Sequence, residues 1–243
     1  MFDPLMDFVS NSAEDTDIFC FQEVFDTPTL RKNVDDFYRA NLFSELKRVL
    51  PEHDGYFAPS EEGYGFVGPV DFPIQWGVAM FVKRPIEIVR TGDTYIFGSY
   101  NSRWNGNSSS SRNLQYVCLN VDGQDYTLAH FHGLWKKDCG KDDLEERIEQ
   151  SHRVKEFLDR STGKKVLCGD FNLSPETESL AILEEGLINL IKVQGITTTR
   201  SSYYPKPDRF ADYVLVSPDV NVKQFEVPQI EVSDHLPLFL DFS

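Results

Sequence analysis

The sequence is short of basic residues. Lys and Arg together number 24 against 39 Asp and Glu, which gives a formal net charge of -15. Proteins bind nucleic acid largely by displacing counterions with Lys and Arg, so this balance argues against an extended grip on duplex DNA. It does not argue against phosphate chemistry, because a divalent cation held by carboxylates reverses the local field.

Long apolar runs and paired cysteines are also absent. No stretch of about eighteen apolar residues occurs, and the first residues, Met1 to Pro4, lack a basic segment followed by an apolar one. We therefore expect a cytoplasmic protein that makes no contact with membranes. The cysteines have no Cys-x-x-Cys spacing and are expected to be buried reduced thiols rather than disulfides or zinc ligands. They are Cys20, Cys118, Cys139 and Cys168.

Apolar and aromatic side chains are plentiful, at 40% and 13% of 243 residues. That content predicts a single domain, residues 1–243, with a wide packed core. Hydrophobic periodicity predicts helices at 4–8, 36–49, 142–158 and 176–185, and strands at 17–24, 77–82, 86–97, 114–121, 126–130, 165–168, 213–216, 220–225 and 237–242. This mixture favours an α/β fold in which two sheets pack together with helices outside.

The segment 166–175 carries the most informative chemistry. An apolar strand runs into Gly169 and then into Asp170 and Asn172, which leave the strand end side by side. An Asp and a nearby Asn amide can hold a hard cation and a phosphate oxygen together. The same residues also favour a simple turn, and spacing alone does not separate the two interpretations.

Other polar groups stand at the ends of predicted strands. Asp234 and His235 precede the last strand, His132 ends another, Asp212 begins a third, and Glu23 ends the first. Histidine is suited to proton transfer near neutral pH, and an adjacent carboxylate can fix its tautomer. Strand ends are where the active sites of α/β proteins collect, so the combination indicates one site.

These segments resemble a known family. The phrases D-I-F-C-F-Q-E-V, A-H-F-H-G, G-D-F-N, R-F-A-D-Y-V-L-V-S and S-D-H-L-P are similar to the signature series of the endonuclease/exonuclease/phosphatase superfamily, from about Asp17 to the C-terminus. The resemblance implies a DNase I-like four-layer α/β sandwich, with two packed mixed β-sheets, helices on both outer faces, and an active site at one end. It also implies a metal-dependent phosphoric ester hydrolase.

The resemblance implies which residues bind the metal and which residue acts on the attacking water. Glu23 matches the principal carboxylate ligand of Mg²⁺, with Mn²⁺ as a substitute, and Asp234 would lie near the metal. Asp170 would orient or activate the attacking water. Asn172 would donate a hydrogen bond to the phosphate.

The resemblance also implies roles for the histidines. His235 would sit beside the scissile phosphate, oriented by Asp212, and His132 would donate to a phosphate oxygen. His130 falls where relatives often carry Asn and is expected to be structural. Arg112 could contact the phosphate, but a position on a solvent-exposed face of the protein is preferred. In-line attack of water on phosphorus would need no covalent enzyme intermediate.

The sequence departs from the family at its start. Relatives begin with a strand that carries an Asn, whereas here Met1 opens directly on a helix, and Asn11 is a poor substitute. Two explanations stand: the true start lies upstream, or the strand has been lost. The first is preferred, because the remaining catalytic set is complete.

The substrate stays open at this stage. A phosphodiesterase or nuclease acting on a short or single-stranded nucleic acid is preferred. A phosphomonoesterase, a lipid-headgroup phosphodiesterase and a catalytically silent binding domain are the alternatives. Aromatic residues of the predicted loops could stack on a base or could pack the loops, and we expect a monomer. These aromatics are Tyr64, Phe66, Trp104 and Trp135.

Overall fold

The computed structural model describes residues 2–28, 38–65, 68–102, 110–136 and 138–243. The helices are α1 (Phe2–Ser12), α2 (Leu42–Val49), α3 (Glu145–Arg160), α4 (Glu178–Glu184) and the single turn α5 (Leu190–Val193). The strands are β1 (Ile18–Asp26), β2 (His53–Glu62), β3 (Gln75–Lys83), β4 (Glu87–Phe97), β5 (Arg112–Val121), β6 (Gln124–His132), β7 (Lys164–Asp170), β8 (Ile188–Asn189), β9 (Asp212–Val216), β10 (Val222–Glu226) and β11 (Phe239–Phe242).

The strands of the described residues form two principal sheets and a hairpin. The larger sheet has six strands in the order β4-β5-β6-β7-β9-β8, and within it β6 and β7 run parallel while the other pairs are antiparallel. The smaller sheet is antiparallel with the order β1-β3-β2, and β10 pairs with β11. A mixed larger sheet results because the α3 crossover returns the chain parallel to β6.

Side-chain alternation along β3 shows how the layers stack. Met80 and Val82 point into the large core shared with the six-stranded sheet, whereas Ala79 and Phe81 pack against α1 and α2. On β5 the odd-numbered Gln115 donates to the Tyr56 carbonyl of β2. The even-numbered Tyr116 instead packs on Phe157 of α3, at 4.8 Å between ring centroids. Helix, sheet, sheet and helix therefore succeed one another, and the four-layer α/β sandwich is confirmed.

The sequence-based assignment differs from the structure most at α2 and β2, and the short elements β8 and α5 were not predicted. The helix predicted from residue 36 begins at Leu42, and the residues at 38–41 are not helical, while residue 36 lies outside the described part of the chain. Strand β2 was not predicted at all. Pro59 hid it, because proline is uncommon within sheets; here Pro59 stands at an irregularity of register between β2 and β3.

Strand β1 forms an edge of the smaller sheet. Within the described residues it pairs with β3 only. The four cysteines are free, as expected, but are partly rather than fully buried. Among the described residues no helix has both the length and the apolar character that crossing a membrane requires.

Candidate active site

Three neighbouring strands of the six-stranded sheet carry polar side chains at the same end of the sheet. The register pairs His132 of β6 with Asp170 of β7, and Asp170 with Asp212 of β9. β6 and β7 finish at this end of the sheet and the antiparallel β9 begins there, so residues far apart in sequence become adjacent. This is the physical reason why the strand-end pattern in the sequence indicated a site.

A tight loop after β7 fixes Asp170 and Asn172. The Asn172 amide N–H donates to Oδ1 of Asp170 at 2.8 Å, and its side-chain Nδ2 donates to the Gly133 carbonyl at 3.3 Å. Asn172 has a φ of +52°, a conformation that asparagine tolerates better than most residues. A Cβ at position 133 would lie 2.0 Å from the Phe171 carbonyl oxygen, so only glycine permits this close approach.

Glu23 reaches the same place from the smaller sheet. An irregularity of register between Phe21 and Val24 leaves Glu23 unpaired with a φ of +57°, and its carboxylate lies 3.9 Å from Nε2 of His132. Desolvation by the cleft walls raises the pKa of Glu23, and the charges of Asp170 and Asp234 add to that rise, although its side chain stays 51% exposed. Glu23 accepts no hydrogen bond from the described residues.

His235 is paired with Asp212. Its Nδ1 lies 2.8 and 2.9 Å from the two carboxylate oxygens, which can only accept, so Nδ1 carries the hydrogen. Nε2 lies 3.6 Å from Oδ2 of Asp170. Burial opposes protonation, but the charges of Asp212 and Asp170 outweigh it and raise the pKa of His235 to about 9. His235 is therefore cationic at neutral pH and can give a proton to an oxyanion.

His132 has the opposite character. Burial, helped by the charge of Arg112, lowers the pKa of His132 to about 3, so the ring is neutral. Its Nε2 lies 3.8 Å from Asp170 and its ring packs on Trp76 at 5.6 Å. A neutral imidazole can still donate through Nε2–H. His130 lies deeper, bonded through its two ring nitrogens to Gln115 and Gln22, which suits a structural role.

Two arginines and a lysine line this acidic cleft. Arg112 does not occupy the solvated face that the sequence favoured: it is 5% exposed, donates to the Gly133 carbonyl and stacks on Trp76 at 4.9 Å. Burial lowers the pKa of Arg112 to about 10, and the nearby charges of Glu23 and Asp170 oppose that shift. Arg112 therefore faces the acidic groups of the site.

Arg200 and Lys141 were missed in the sequence. Arg200 donates to Asp234 at 3.1 Å, its Nη1 lies in contact with Nε2 of His235, and it stacks on Tyr204 at 4.1 Å. Lys141 is buried over the same ring, and burial lowers the pKa of Lys141 to about 8. Neither residue lies in a recognisable motif, and only the folded chain brings them to the cleft.

The structure thus brings together every residue that the sequence placed in the site. Asp234 differs from the rest because its carboxylate is shared with Arg200. Asp170, Asp212 and His235 form the only group of described residues whose possible metal-binding atoms all lie within 4.8 Å of one another. The hydrogen bond between Asp212 and His235 already uses one nitrogen, so we interpret that pair as a proton-handling unit.

A cation fits better at Glu23. This carboxylate has no hydrogen-bond partner among the described residues, stands close to two further carboxylates and has a raised pKa, all of which a bound cation would relieve. Oxygen ligands of this kind suit Mg²⁺ or Mn²⁺.

Of the four loop aromatics that the sequence singled out, two lie among the described residues. Trp135 is 40% exposed. Tyr64 forms an isolated β-bridge with Pro69, as a loop-packing residue does. Phe66 and Trp104 lie outside the described residues.

Comparison with known proteins agrees with the fold and the motifs. The sequence model of the Endonuclease/Exonuclease/phosphatase family matches residues 3–235. No curated protein matches the chain.

Solved structures are similar over nearly the whole chain. A mannosyl-6-phosphatase from Bacteroides thetaiotaomicron is 19% identical, with a TM-score of 0.71 over 99% of this chain and 90% of that one. D. rerio TDP2 complexed with a single-stranded DNA product is 15% identical, with a TM-score of 0.67 over 99% and 92% of the two chains. The human Nocturnin catalytic domain with a bound sulfate anion is 20% identical, with a TM-score of 0.66 over 99% and 85%. At these identities the likeness concerns the fold.

Proposed function

Because the chain belongs to the endonuclease/exonuclease/phosphatase family, we propose that it is a divalent-metal-dependent hydrolase that breaks a phosphoester bond by in-line attack of water. The observation that supports this proposal is the convergence of Glu23, His132, Asp170 and the Asp212–His235 pair in one cleft. These groups come from both sheets, and a purely structural role would not require them to meet.

Glu23, with Asp234 beside it, would hold Mg²⁺ or Mn²⁺, which polarises the phosphoryl group and offsets the carboxylate charge. Asp170 would orient the attacking water in this proposal, because its Oδ2 faces both histidines while Oδ1 accepts a hydrogen bond from the Asn172 amide. The carboxylate is thereby held in one orientation.

The two histidines perform different tasks in this proposal. His235, cationic and held by Asp212, stabilises charge on the phosphoryl or leaving oxygen and can transfer its proton there. Neutral His132 and the amide of Asn172 donate to the remaining phosphoryl oxygens. No side chain forms a covalent intermediate.

The substrate is a separate question. A nuclease or phosphodiesterase acting on a short or single-stranded nucleic acid stays a prediction, as does a phosphomonoesterase or lipid-headgroup phosphodiesterase. The named similarities include both a phosphosugar phosphatase and a protein with a DNA product, and so favour neither. A screen with Mg²⁺ or Mn²⁺ against single-stranded DNA and RNA, phosphosugars, inositol phosphates and sphingomyelin identifies the class.

The roles are tested by Glu23→Gln and His235→Ala. We expect each to lower kcat/KM at least about 100-fold, and Glu23→Gln also to weaken Mn²⁺ binding in calorimetry. Glu156→Gln, on the exposed face of α3, is the matched control and should leave both quantities unchanged. Undiminished hydrolysis in either site variant would refute the proposal.

A further inference from the structure

Arg200 has more hydrogen-bond donors than the protein uses. Its side chain is only 5% exposed, yet among the described residues it donates from Nη1 alone, and its buried Nε has no acceptor. A guanidinium carries five N–H groups, and leaving one buried without an acceptor is costly. The guanidinium lies against His235, where the proposed reaction takes place, and its uncommitted donors point to an anionic acceptor that binds there.

The position of Arg200 is set by its neighbours. The Ser201 amide donates to the Asp234 carbonyl, and the Leu236 amide donates to the Thr199 carbonyl, so residues on either side of Arg200 are tied to those on either side of His235. The guanidinium rests on the Tyr204 ring at 4.1 Å. A side chain fixed in this way loses little entropy when it binds a ligand.

Further cations adjoin Arg200. Lys141 lies over the same Tyr204 ring, with Nζ 5.4 Å from the ring centroid, and it interacts electrostatically with Asp170 and Asp212. Arg112 provides a buried guanidinium on the Glu23 and Asp170 side. These three buried cations share the cleft with the site carboxylates. Once a divalent cation offset those carboxylates, the cleft would favour a ligand of high negative charge.

A phosphate monoester fits that demand better than a diester. Its second pKa is about 6, so at neutral pH it carries close to two negative charges and three terminal oxygens, whereas a diester carries one charge and two such oxygens. We infer that Arg200, supported by Tyr204 and Lys141, binds the terminal oxygens of a phosphate monoester and makes this site selective for monoesters. This inference rests on the proposed hydrolytic function and specifies its substrate class.

The test compares two substrates with the same leaving group, p-nitrophenyl phosphate and bis(p-nitrophenyl) phosphate. We expect the wild-type protein to prefer the monoester. Arg200→Ala should lower kcat/KM for the monoester roughly 10- to 100-fold more than for the diester, as expected for lost hydrogen bonds to a charged group, because any effect through Asp234 or His235 is common to both substrates. Arg200→Lys, which keeps the charge but not the fork of donors, should fall between. Equal losses on both substrates, or a preference for the diester, would overturn the inference.

Calorimetry with inorganic phosphate gives a readout that does not depend on turnover. Arg200→Ala should weaken phosphate binding roughly 10- to 100-fold, while Arg160→Ala, an exposed arginine of α3, should not change it. Phosphate binding that depends on Arg200 without hydrolysis would support the inference and defeat the proposed reaction. Binding that does not depend on Arg200, in folded Arg200→Ala and Arg200→Lys proteins, would defeat the inference while hydrolysis stands.

Discussion

Carboxylates that surround a single imidazole determine the charge of His235. Burial alone would lower its pKa, as it does for His132, but Asp212 and Asp170 raise the pKa of His235 to about 9. The two histidines therefore differ in charge within one cleft because only His235 has a carboxylate at hydrogen-bond distance. A proposed proton donor and a proposed neutral hydrogen-bond donor are thereby kept distinct.

The raised pKa of His235 predicts a pH-dependent stability. Its folded value of about 9 lies above the ordinary 6.5, so proton binding favours the folded state. That stabilisation, on the order of 3 kcal/mol, is complete below about pH 6.5 and is lost as the pH rises through about 9. In EDTA, we expect the free energy of unfolding to contain this decline in the wild type and to lack it in His235→Asn.

The measurement is urea unfolding at several pH values between 6 and 10. Asp212→Asn should shrink the same decline by removing the principal source of the shift, and Asp159→Asn, on an exposed helix surface, should preserve it. Identical pH profiles for wild type and His235→Asn would contradict the assignment.

Individual site residues were predictable from sequence only where a motif carried them. Asp170 and Asn172 stand together after a strand, and Asp234 and His235 are adjacent, so local order was informative. Arg200 could not be found in this way, because it reaches His235 by pairing of two segments more than thirty residues apart. The position of such a side chain is a property of the tertiary structure.

Elements were predictable where periodicity was strong. The long apolar strands β3 to β6 and helix α3 came out close to their observed bounds, because one side of each packs on the shared core. β2 was missed because proline and polar residues interrupt its pattern, and its pairing with β3 outweighs local propensity. The start of α2 was placed too early, since apolar spacing does not mark where a helix begins.

Helix α3 stabilises the loop that carries Lys141. Arg147 is fully buried and donates to the carbonyls of Leu134, Gly140 and Asp142. Arg147→Met should leave these carbonyls without partners and lower the free energy of unfolding by roughly 3 kcal/mol or more.

Urea denaturation measures this loss, and the same helix supplies the control. Arg153→Met removes an exposed arginine that is paired with Glu149 and should cost less than about 1 kcal/mol. Arg147→Lys should recover only part of the stability, because one ammonium group cannot donate to all three carbonyls as the planar guanidinium does. Equal effects of Arg147→Met and Arg153→Met would show that the buried network contributes nothing.

At the scale of the whole molecule, the charge of -15 opposes the cations of the cleft. A small anionic substrate far from the protein experiences the net charge, whereas one inside the cleft meets Arg112, Arg200 and Lys141. The two influences act over different distances. The Debye length is about 30 Å at 0.01 M salt and about 8 Å at 0.15 M, against a radius of gyration of about 18 Å for a chain of this length.

Added salt should therefore speed up capture of a small phosphoester. Between 0.01 and 0.15 M NaCl, at constant Mg²⁺, we expect kcat/KM to rise about 2- to 5-fold, because salt screens the distant repulsion more than the close contacts in the cleft. A change of surface charge provides the comparison: Glu156→Gln and Asp159→Asn together replace two exposed carboxylates with neutral amides, reduce the net negative charge outside the cleft and should make the salt dependence shallower. A kcat/KM that falls with salt, as for a protein that binds polyanions through a basic surface, would instead show that the cleft's field extends into solvent and would reopen the case for a nucleic-acid substrate.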